Sequence, residues 1–474
     1  MSAPETSPAL AVVGCVNMGK SSIVATLVED DGILIASEAG STRRAAAYDL
    51  RLGDGIAFTL IDTPGFQNAR RALAWIEDWR KQHETEHVSA TKAVHAFFEA
   101  KAEEASFRHE IRLLAPILED GAGILYVVDG TQPYLQRYEA EMRILAMTGA
   151  PRMGVINLRG DNSPHADAWE EALRPWFKVT RFDAHGADAQ DRLRLFSSLR
   201  GVDDAWAEVI DRAIQRLRTE RAGRHELAAA AVAHLLIDAL AMHEEAPAET
   251  NRDRQTEELS EKLFDRLRER EQACRREIEA LYKHHRLKRA EDALSILDAD
   301  LLDREQWRLL GLSYPQLAAA GTAAGAAAGG VADAALAGLS FPFGTLVGAA
   351  VGGLGTVWGA SGLARVKVLG TPLGGRALRV EPPPGPEFPF VLLDRALVHW
   401  HLVAGRAHAR RDTLELEAAE TSSVVQTLSA STRRVLARTF EQIRRRGELD
   451  DGDRKSLISD LRALAPDHEE APTP

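Results

Sequence analysis

The stretch "VVGCVNMGKSS", Val12 to Ser22, decides how the first half of the chain is read. Its core, Gly14-Cys-Val-Asn-Met-Gly19-Lys20-Ser21, fits G-x-x-x-x-G-K-[ST]; the apolar run "ALAVV" precedes it and the helix-forming "SSIVATLVED" follows. Strand, glycine loop and helix in that order make a phosphate cradle. Backbone N–H groups from Gly14 through Asn17, Met18, Gly19 and Ser22 face the anion, Lys20 reaches the β and γ oxygens, and the Ser21 hydroxyl ligates Mg²⁺. A second phosphate motif, Asp62-Thr-Pro-Gly65, ends the run "FTLID". There a carboxylate can hold Mg²⁺ through water and the Gly65 N–H can meet a γ-phosphate.

Working outward, the runs "ALAVVG", "AAAYDLRL", "IAFTLID", "GILYVVD", "RMGVIN" and "KVTRFDA" alternate with helix-length segments from Ala9 to about Leu199. Such alternation predicts an α/β P-loop NTPase domain, a mostly parallel sheet with flanking helices. Ala69 to Glu119 is a charged helical stretch longer than one crossover needs, and reads as an insertion or an extended helix pair. Asp203 to His243 is Ala/Leu-rich and helical, and the polar break "EEAPAETNRDRQTEE" reads as a linker or loop. Arg252 to about Lys288 places Leu259, Leu263, Leu267, Cys274, Ile278 and Leu281 on one stripe of an amphipathic helix. "RVEPPPGPEFPF" breaks helix, and Leu392 to Leu464 reads as charged helices. The expected organisation is a nucleotide-binding P-loop domain over 1–200 with its insertion at 69–119, then a helical region over 201–314. A glycine-zipper hairpin (315–364), a mostly helical region (365–464) and a disordered tail (465–474) complete a largely α-helical C-terminal half.

The chain has 474 residues, enough for two or three domains. Its net charge of -12 argues against a broad nucleic-acid footprint, so nucleic acid is expected to be an unlikely partner. Two cysteines, Cys15 and Cys274, form no metal-spaced pair and fit a reducing compartment. "MSAPETSPAL" has no basic stretch leading into an apolar run, so a cytoplasmic protein is expected, peripheral to or inserted at the cytoplasmic membrane face if the hairpin engages lipid.

"GCVNMGKSS", "SEAGSTRRAAAYDL" and "LIDTPGF" together resemble the first three motifs of the Era and TrmE group of translation-factor-related GTPases. The resemblance implies that Thr42 is the switch I threonine, contributing to Mg²⁺ and sensing the γ-phosphate, and that Asn17 helps hold a monovalent cation, K⁺. Ser41 and Arg44 depart from the group's A-G-T-T-R-D pattern. Lys20, Thr42 and Gly65 are then the expected catalytic contacts, with GTP and Mg²⁺ as cofactors. "LYVVDGTQPYLQRYEAEMRILAMTGAPRMGVINLRGD" and "FPFVLLDRAL" also resemble a bacterial family in which this GTPase domain is fused to a domain of unknown function.

A guanine site usually carries N-K-x-D, and here "MGVINLRGDN" supplies Asn157 but puts the nearest carboxylate, Asp161, one position late. Either Asp161 reaches in through a bulged loop or "RFDAHGA", Arg181 to Ala187, supplies backbone contacts. Phe66 stands where many small GTPases carry a water-orienting glutamine, which predicts slow intrinsic turnover; Gln67 reads as a surface residue.

"HETEH", His83 to His87, satisfies H-E-x-x-H but lacks a third ligand, and "HWH" and "HH" at 399–401 and 284–285 have no ligand-spaced company; all read as surface or structural histidines. From Pro315 to Ala364 the only charge is Asp333, and glycines recur every four residues around "SFPF". Two helices of this length could cross a bilayer, although Asp333 weighs against the first. Insertion, reversible membrane contact and a packed soluble hairpin remain as alternatives. The leading function is a GTP-dependent switch acting on the helical half and on an unnamed protein effector. The alternatives are a membrane-remodelling GTPase that self-associates as a homodimer, and an RNA or ribosome assembly GTPase.

Overall fold

The computed structural model describes residues 8–15, 17–29, 46–52, 55–83, 88–160, 162–284, 365–370, 376–408 and 423–466. The chain divides into two compact units, one over Met1–Ala222 with short returns at Lys283–Arg286 and Gly405–Arg411, the other over the remainder.

In the first unit, strands β1 (Ala9–Val13), β2 (Ala46–Leu52), β3 (Gly55–Asp62), β4 (Gly123–Asp129), β5 (Arg152–Asn157) and β6 (Lys178–Phe182) form one sheet in the order β2-β3-β1-β4-β5-β6. All six expected apolar runs are strands. Only β2 runs antiparallel, paired with β3; the rest are parallel. β4 is buried along its whole length, as a central parallel strand covered on both faces should be. The register aligns Val12 with Asp62, Val13 with Tyr126, Asp129 with Asn157, and Asn157 with Phe182. The motif residues therefore reach the same carboxyl edge of the sheet, where α/β folds bind ligands.

Helices α1 (Lys20–Val28), α2 (Ala69–Gln82), α3 (Ala90–Ala100), α4 (Arg108–Leu118), α5 (Glu139–Met147), α6 (Ala166–Leu173) and α7 (Ala189–Leu199) accompany the sheet. The charged stretch after β3 is thus three helices rather than a pair. Its third member is strongly amphipathic, with Leu113, Leu114, Pro116 and Ile117 buried.

The second unit takes most of α8 (Ala207–Ala241), then β7 (Glu244–Pro247), α9 (Arg252–Leu281), β8 (Arg365–Gly370), β9 (Arg376–Glu381), α10 (Glu387–Gly405), α11 (Val424–Thr427), α12 (Ala430–Arg446) and α13 (Asp451–Arg462). It is predominantly helical. The apolar stripe of α9 is buried from Leu259 to Ile278, and Leu281 at its end is half-buried. The polar break after α8 is not a plain linker: Glu244–Pro247 adds an antiparallel strand to β9, which also pairs with β8. The Gln255 side chain fixes it, donating to the Pro247 carbonyl at 2.6 Å and accepting from the Glu249 N–H at 2.9 Å. α10 also departs from expectation. It is apolar and buried on almost every side from Phe388 to Trp400, with Pro389 in its first turn, where a missing N–H costs little.

Among the described residues no helix is long and apolar enough to cross a membrane. The Gly/Ala-rich hairpin (315–364), Thr42 and the rest of switch I, Asp161, residues 84–87 and 467–474 lie outside the described residues.

Candidate functional site

β1 delivers the chain to the glycine loop and α1 carries it away. Gly14 has φ 151°, and a Cβ there would lie 2.3 Å from the Val127 carbonyl oxygen; Gly19 has φ 84°, and its Cβ would lie 2.2 Å from Asn157 Nδ2. Both glycines are therefore demanded by close approach as well as by backbone angle. Asn17 is exposed in the loop with φ 65°, a conformation asparagine tolerates better than most residues. Met18 is buried, its sulfur 3.3 Å from the Asp129 backbone nitrogen, so it anchors the loop to β4.

Lys20 is buried, and its ammonium donates to the carbonyls of Gly14 at 3.2 Å and Cys15 at 2.9 Å. Burial pushes its pKa below the ordinary value, against the raising pull of Asp62. Ser21 donates from Oγ to Asp62 Oδ2 at 2.7 Å, joining the end of β3 to the first turn of α1, while Ser22 is buried behind it. A hydroxyl and a carboxylate brought together this way form a hard-oxygen donor set that fits Mg²⁺. Thr63 is fastened to the Val12 carbonyl through its hydroxyl at 2.9 Å, which sets the path leading into Gly65.

Phe66 is 3% exposed and belongs to the core, whereas Gln67 is exposed. The aromatic after the glycine is thus an anchor for the loop. The backbone N–H groups of Gln67 and Asn68 donate to Glu110 Oε1 at 2.8 and 2.6 Å, and Asn68 Nδ2 donates to the Ser106 carbonyl at 2.8 Å. Glu110, in the first turn of α4, is fully buried, and its Oε2 meets no partner among the described residues. Sequence reasoning missed it because one glutamate in a charged helical stretch has no distinguishing neighbour in the chain. Its signal was only that a carboxylate sits on the apolar side of an otherwise clean amphipathic helix. Glu141, from α5, is a second buried carboxylate. Burial pushes it up to about 7, against the lowering pull of the Tyr126 hydroxyl that donates to it at 2.9 Å.

Asn157 ends β5 with its side chain between the Gly19 backbone and the Ala184 N–H, which donates to Oδ1 at 3.2 Å. The "RFDAHGA" segment is organised by Asp183, whose carboxylate accepts from the N–H groups of His185, Gly186 and Gly160 at 2.9, 3.0 and 2.8 Å. Asp183 thereby joins the segment after β5 to the segment after β6. The spacing of an Asx turn, Asp followed two and three residues on by its donors, was a signal available in sequence. Thr26 of α1 donates to the Ala184 carbonyl at 2.7 Å and closes the same side of the site.

Among the described residues the histidine motifs gather no ligands; His87 and His285 lie outside those residues. His83 Nδ1 lies 2.8 Å from the carbonyl of Trp79, on which its ring stacks; His401 Nε2 lies 2.8 Å from the Leu464 carbonyl; and His399 is buried beside Glu279. Among the described residues no group of three or more His, Cys, Asp or Glu could hold a metal ion.

A family model described as a 50S ribosome-binding GTPase matches residues 9–157, and one described as a domain of unknown function, DUF3482, matches residues 176–463, more than half of the chain. The chain belongs to the DUF3482 family. Its N-terminal domain is an Era/Der-like P-loop GTPase domain, separate from the DUF3482 region. This DUF3482 chain is similar to GTPase Der of Rhodopirellula baltica, 31% identical over 127 residues that cover 27% of this chain and 27% of that protein. It is also similar to GTPase Der of Bordetella pertussis, 28% identical over 187 residues that cover 36% of this chain and 40% of that protein. The DUF3482 chain therefore spans less than half the length of these relatives. Among solved structures, an Aquifex aeolicus Era variant bound to GDP and AlF₄⁻ is 18% identical with a TM-score of 0.28, covering 40% of this chain and 55% of that one. Era in complex with MgGDPNP and nucleotides 1506–1542 of 16S ribosomal RNA, with the same identity and coverage, has a TM-score of 0.27. These comparisons give no support to the expectation that nucleic acid is an unlikely partner.

Proposed function

We propose that this chain binds and hydrolyses GTP as a molecular switch whose nucleotide state is passed to its helical regions. The observation that carries the reading is the meeting of Lys20, Ser21 and Asp62 at the mouth of a glycine loop, with Gly65 three residues beyond Asp62, whose register partner in β1 is Val12, and Asn157 against the loop's far side. The phosphates would lie on the loop N–H groups and the N-terminus of α1, with Lys20 exchanging its carbonyl partners for phosphate oxygens. Ser21 and Asp62 would hold Mg²⁺, which supplies charge neutralisation for the transferred phosphoryl. Thr42 and Gly65 would sense the γ-phosphate. With Phe66 committed to the core, no side chain at that position orients water, so slow intrinsic turnover is expected. Asn17 would lend an oxygen to K⁺ beside the phosphates.

Removing the buried cation should cost nucleotide affinity far more than stability. Lys20→Ala is expected to weaken GTP binding about 100-fold or more, since charge-assisted contacts to two phosphate groups are lost together. Fluorescent-nucleotide titration checks this, and wild-type affinity or phosphate release in the variant would remove the assignment. Guanine is expected to be preferred over adenine, and equal ATP affinity in competition would overturn that preference.

The description of the matching family as ribosome-binding favours one second reading, an RNA or ribosome role for this chain. Its test is nucleotide-dependent, salt-sensitive co-sedimentation with ribosomes. Membrane contact through 315–364 and an effector protein belong to the proposed switch, and self-association belongs to the alternative of a membrane-remodelling GTPase. Flotation with liposomes, with and without GTP, tests the first of these.

A further inference from the structure

The second unit contains a cavity of about 240 Å³ between the β8–β9 hairpin, the proline turn after β9 and the last turn of α12. Among the described residues, five cationic side chains and two carboxylates line it, leaving three positive charges in excess. On the strand side, Lys367 Nζ lies 2.7 Å and Arg379 Nε 3.2 Å from the same oxygen of Glu381, so one carboxylate serves two cations. On the helix side, Arg445 stands 3.9 Å from Glu441, and Arg446 has no acidic partner within ion-pairing distance among the described residues.

Arg444 is held as part of the wall. It donates to the carbonyls of Pro383 and Pro384 at 2.8 Å and of Gly385 at 3.0 Å, which fixes the guanidinium in place. Consecutive prolines stiffen that turn and offer no N–H groups. The C-terminal carbonyls of α12 place partial negative charge nearby, which favours the three arginines; Gly447 N–H already takes the Ile443 carbonyl at 2.7 Å, so these carbonyls only partly offset the excess. Like charges converging on a stiff concavity repel one another unless an anion enters.

We propose that this cavity binds a phosphate-bearing anion. Guanidinium and ammonium groups converging from two walls suit phosphate oxygens, where the arginine fork adds direction to charge. Among the described residues the lining has no aromatic side chain, which argues against a stacked nucleobase. Its remaining wall, Leu240, Ala241, Met242 and Pro382, is apolar and would accommodate a glycerol-like group attached to the phosphate. A free phosphate and a lipid headgroup share this chemistry. The sequence favours the headgroup, because the fifty-residue run from Pro315 to Ala364 with its single charge ends three residues before Lys367. The inference is independent of the nucleotide reading, since every lining residue lies in the second unit.

The test uses the full chain, with excess MgGDP present, and two probes at low salt. One is inorganic pyrophosphate; the other is phosphatidylglycerol-containing vesicles against phosphatidylcholine vesicles. Lys367→Gln/Arg446→Gln should weaken binding about tenfold or more, whereas Arg434→Gln/Arg438→Gln, which removes equal charge from exposed positions on the same helix, should leave it near wild type. Arg446→Gln alone, with a smaller loss, serves if the double variant melts early. Binding of both probes identifies a free-phosphate site, and binding of anionic vesicles alone identifies a headgroup site. Binding of neither probe, or equal losses in the cavity and surface variants, overturns the proposal.

Discussion

Glu110 in the first unit and Glu271 in the second are both buried carboxylates, 0% and 4% exposed, and they are satisfied in opposite ways. Glu271 lies between two guanidiniums: Arg275, one turn on in α9, at 2.6 Å, and Arg395 of α10, at 2.8 and 3.1 Å. Burial alone would raise its pKa, but the two arginines outweigh that and hold it below the ordinary value. Glu110 has only backbone N–H groups, both from the loop after Gly65, and one oxygen without a partner among the described residues. A carboxylate clamped by fixed cations on packed helices fixes a core. A carboxylate held by loop amides is a joint, and its strength depends on where the loop is.

The largest expected effect is on the fixed site. Glu271→Ala should destabilise the second unit by roughly 3 to 5 kcal/mol, because it removes the carboxylate that two buried guanidiniums share. Replacing all three charges with apolar residues of similar size should recover most of the loss, since the desolvation cost disappears along with the attraction. Urea denaturation of both variants decides the point. A triple variant no more stable than Glu271→Ala would show that the ion cluster specifies the packing and does more than satisfy itself.

Asp394, next to Arg395 in α10, is fully buried and accepts from the Val425 N–H at 2.9 Å; burial pushes its carboxyl up to about 6. A carboxyl whose folded pKa lies above its unfolded value of 3.8 holds its proton more tightly in the folded state. Its contribution is complete below the unfolded value and is lost as pH rises through about 6. The loss should be on the order of 2 to 3 kcal/mol between about pH 4 and pH 7. Asp394→Asn keeps an acceptor for Val425 and should flatten that part of the stability profile. An unchanged slope would mean that the side chain stays ionised in the core.

The contrast between the two glutamates also marks what could be read from the chain. The glycine loop, Asp62-Thr-Pro-Gly65 and Asn157 are legible because phosphate chemistry demands particular residues at fixed spacing, and the six strands are legible because each is a short apolar run between helix-length segments. Glu110 meets a loop 42 residues away and Arg395 meets Glu271 across 124 residues, so neither contact has a local signature. Burial on all sides made α10 unreadable as a helix face, since it has no polar stripe to set its period. β7 was hidden because "EEAP" has strand neighbours only after β9, more than a hundred residues later, has folded beside it.

The joint at Glu110 should show smaller but more specific effects. Glu110→Gln keeps an oxygen for the Gln67 and Asn68 amides yet loses the charge that strengthens those bonds, so the loop carrying Gly65 is held less firmly. Stability should change by no more than about 1 kcal/mol, because an incompletely satisfied buried charge is removed at the same time. The ratio of GTP-analogue to GDP affinity should fall about three- to tenfold, because only the triphosphate uses the Gly65 N–H. Equal losses for both nucleotides would make Glu110 a packing residue, and an unchanged ratio would separate the inserted helices from γ-phosphate sensing.

Asn17 offers the smallest effect and bears on the other side of the same phosphate. Its φ of 65° and exposure place the side chain in the loop with no hydrogen-bond partner among the described residues, where it can turn an oxygen toward a monovalent ion beside the phosphates. With Phe66 buried, a cation there is one of few remaining sources of charge for the oxygens that become more negative during transfer. Hydrolysis should run a few-fold faster in KCl than in NaCl at equal ionic strength, and Asn17→Ala should erase the difference while leaving MgGDP affinity nearly unchanged. If the salts give identical rates, Asn17 serves only the left-handed turn that brings Gly19 under Asn157. Asn17→Gly should then be tolerated better than Asn17→Ala, because glycine takes a positive φ without strain and alanine does not.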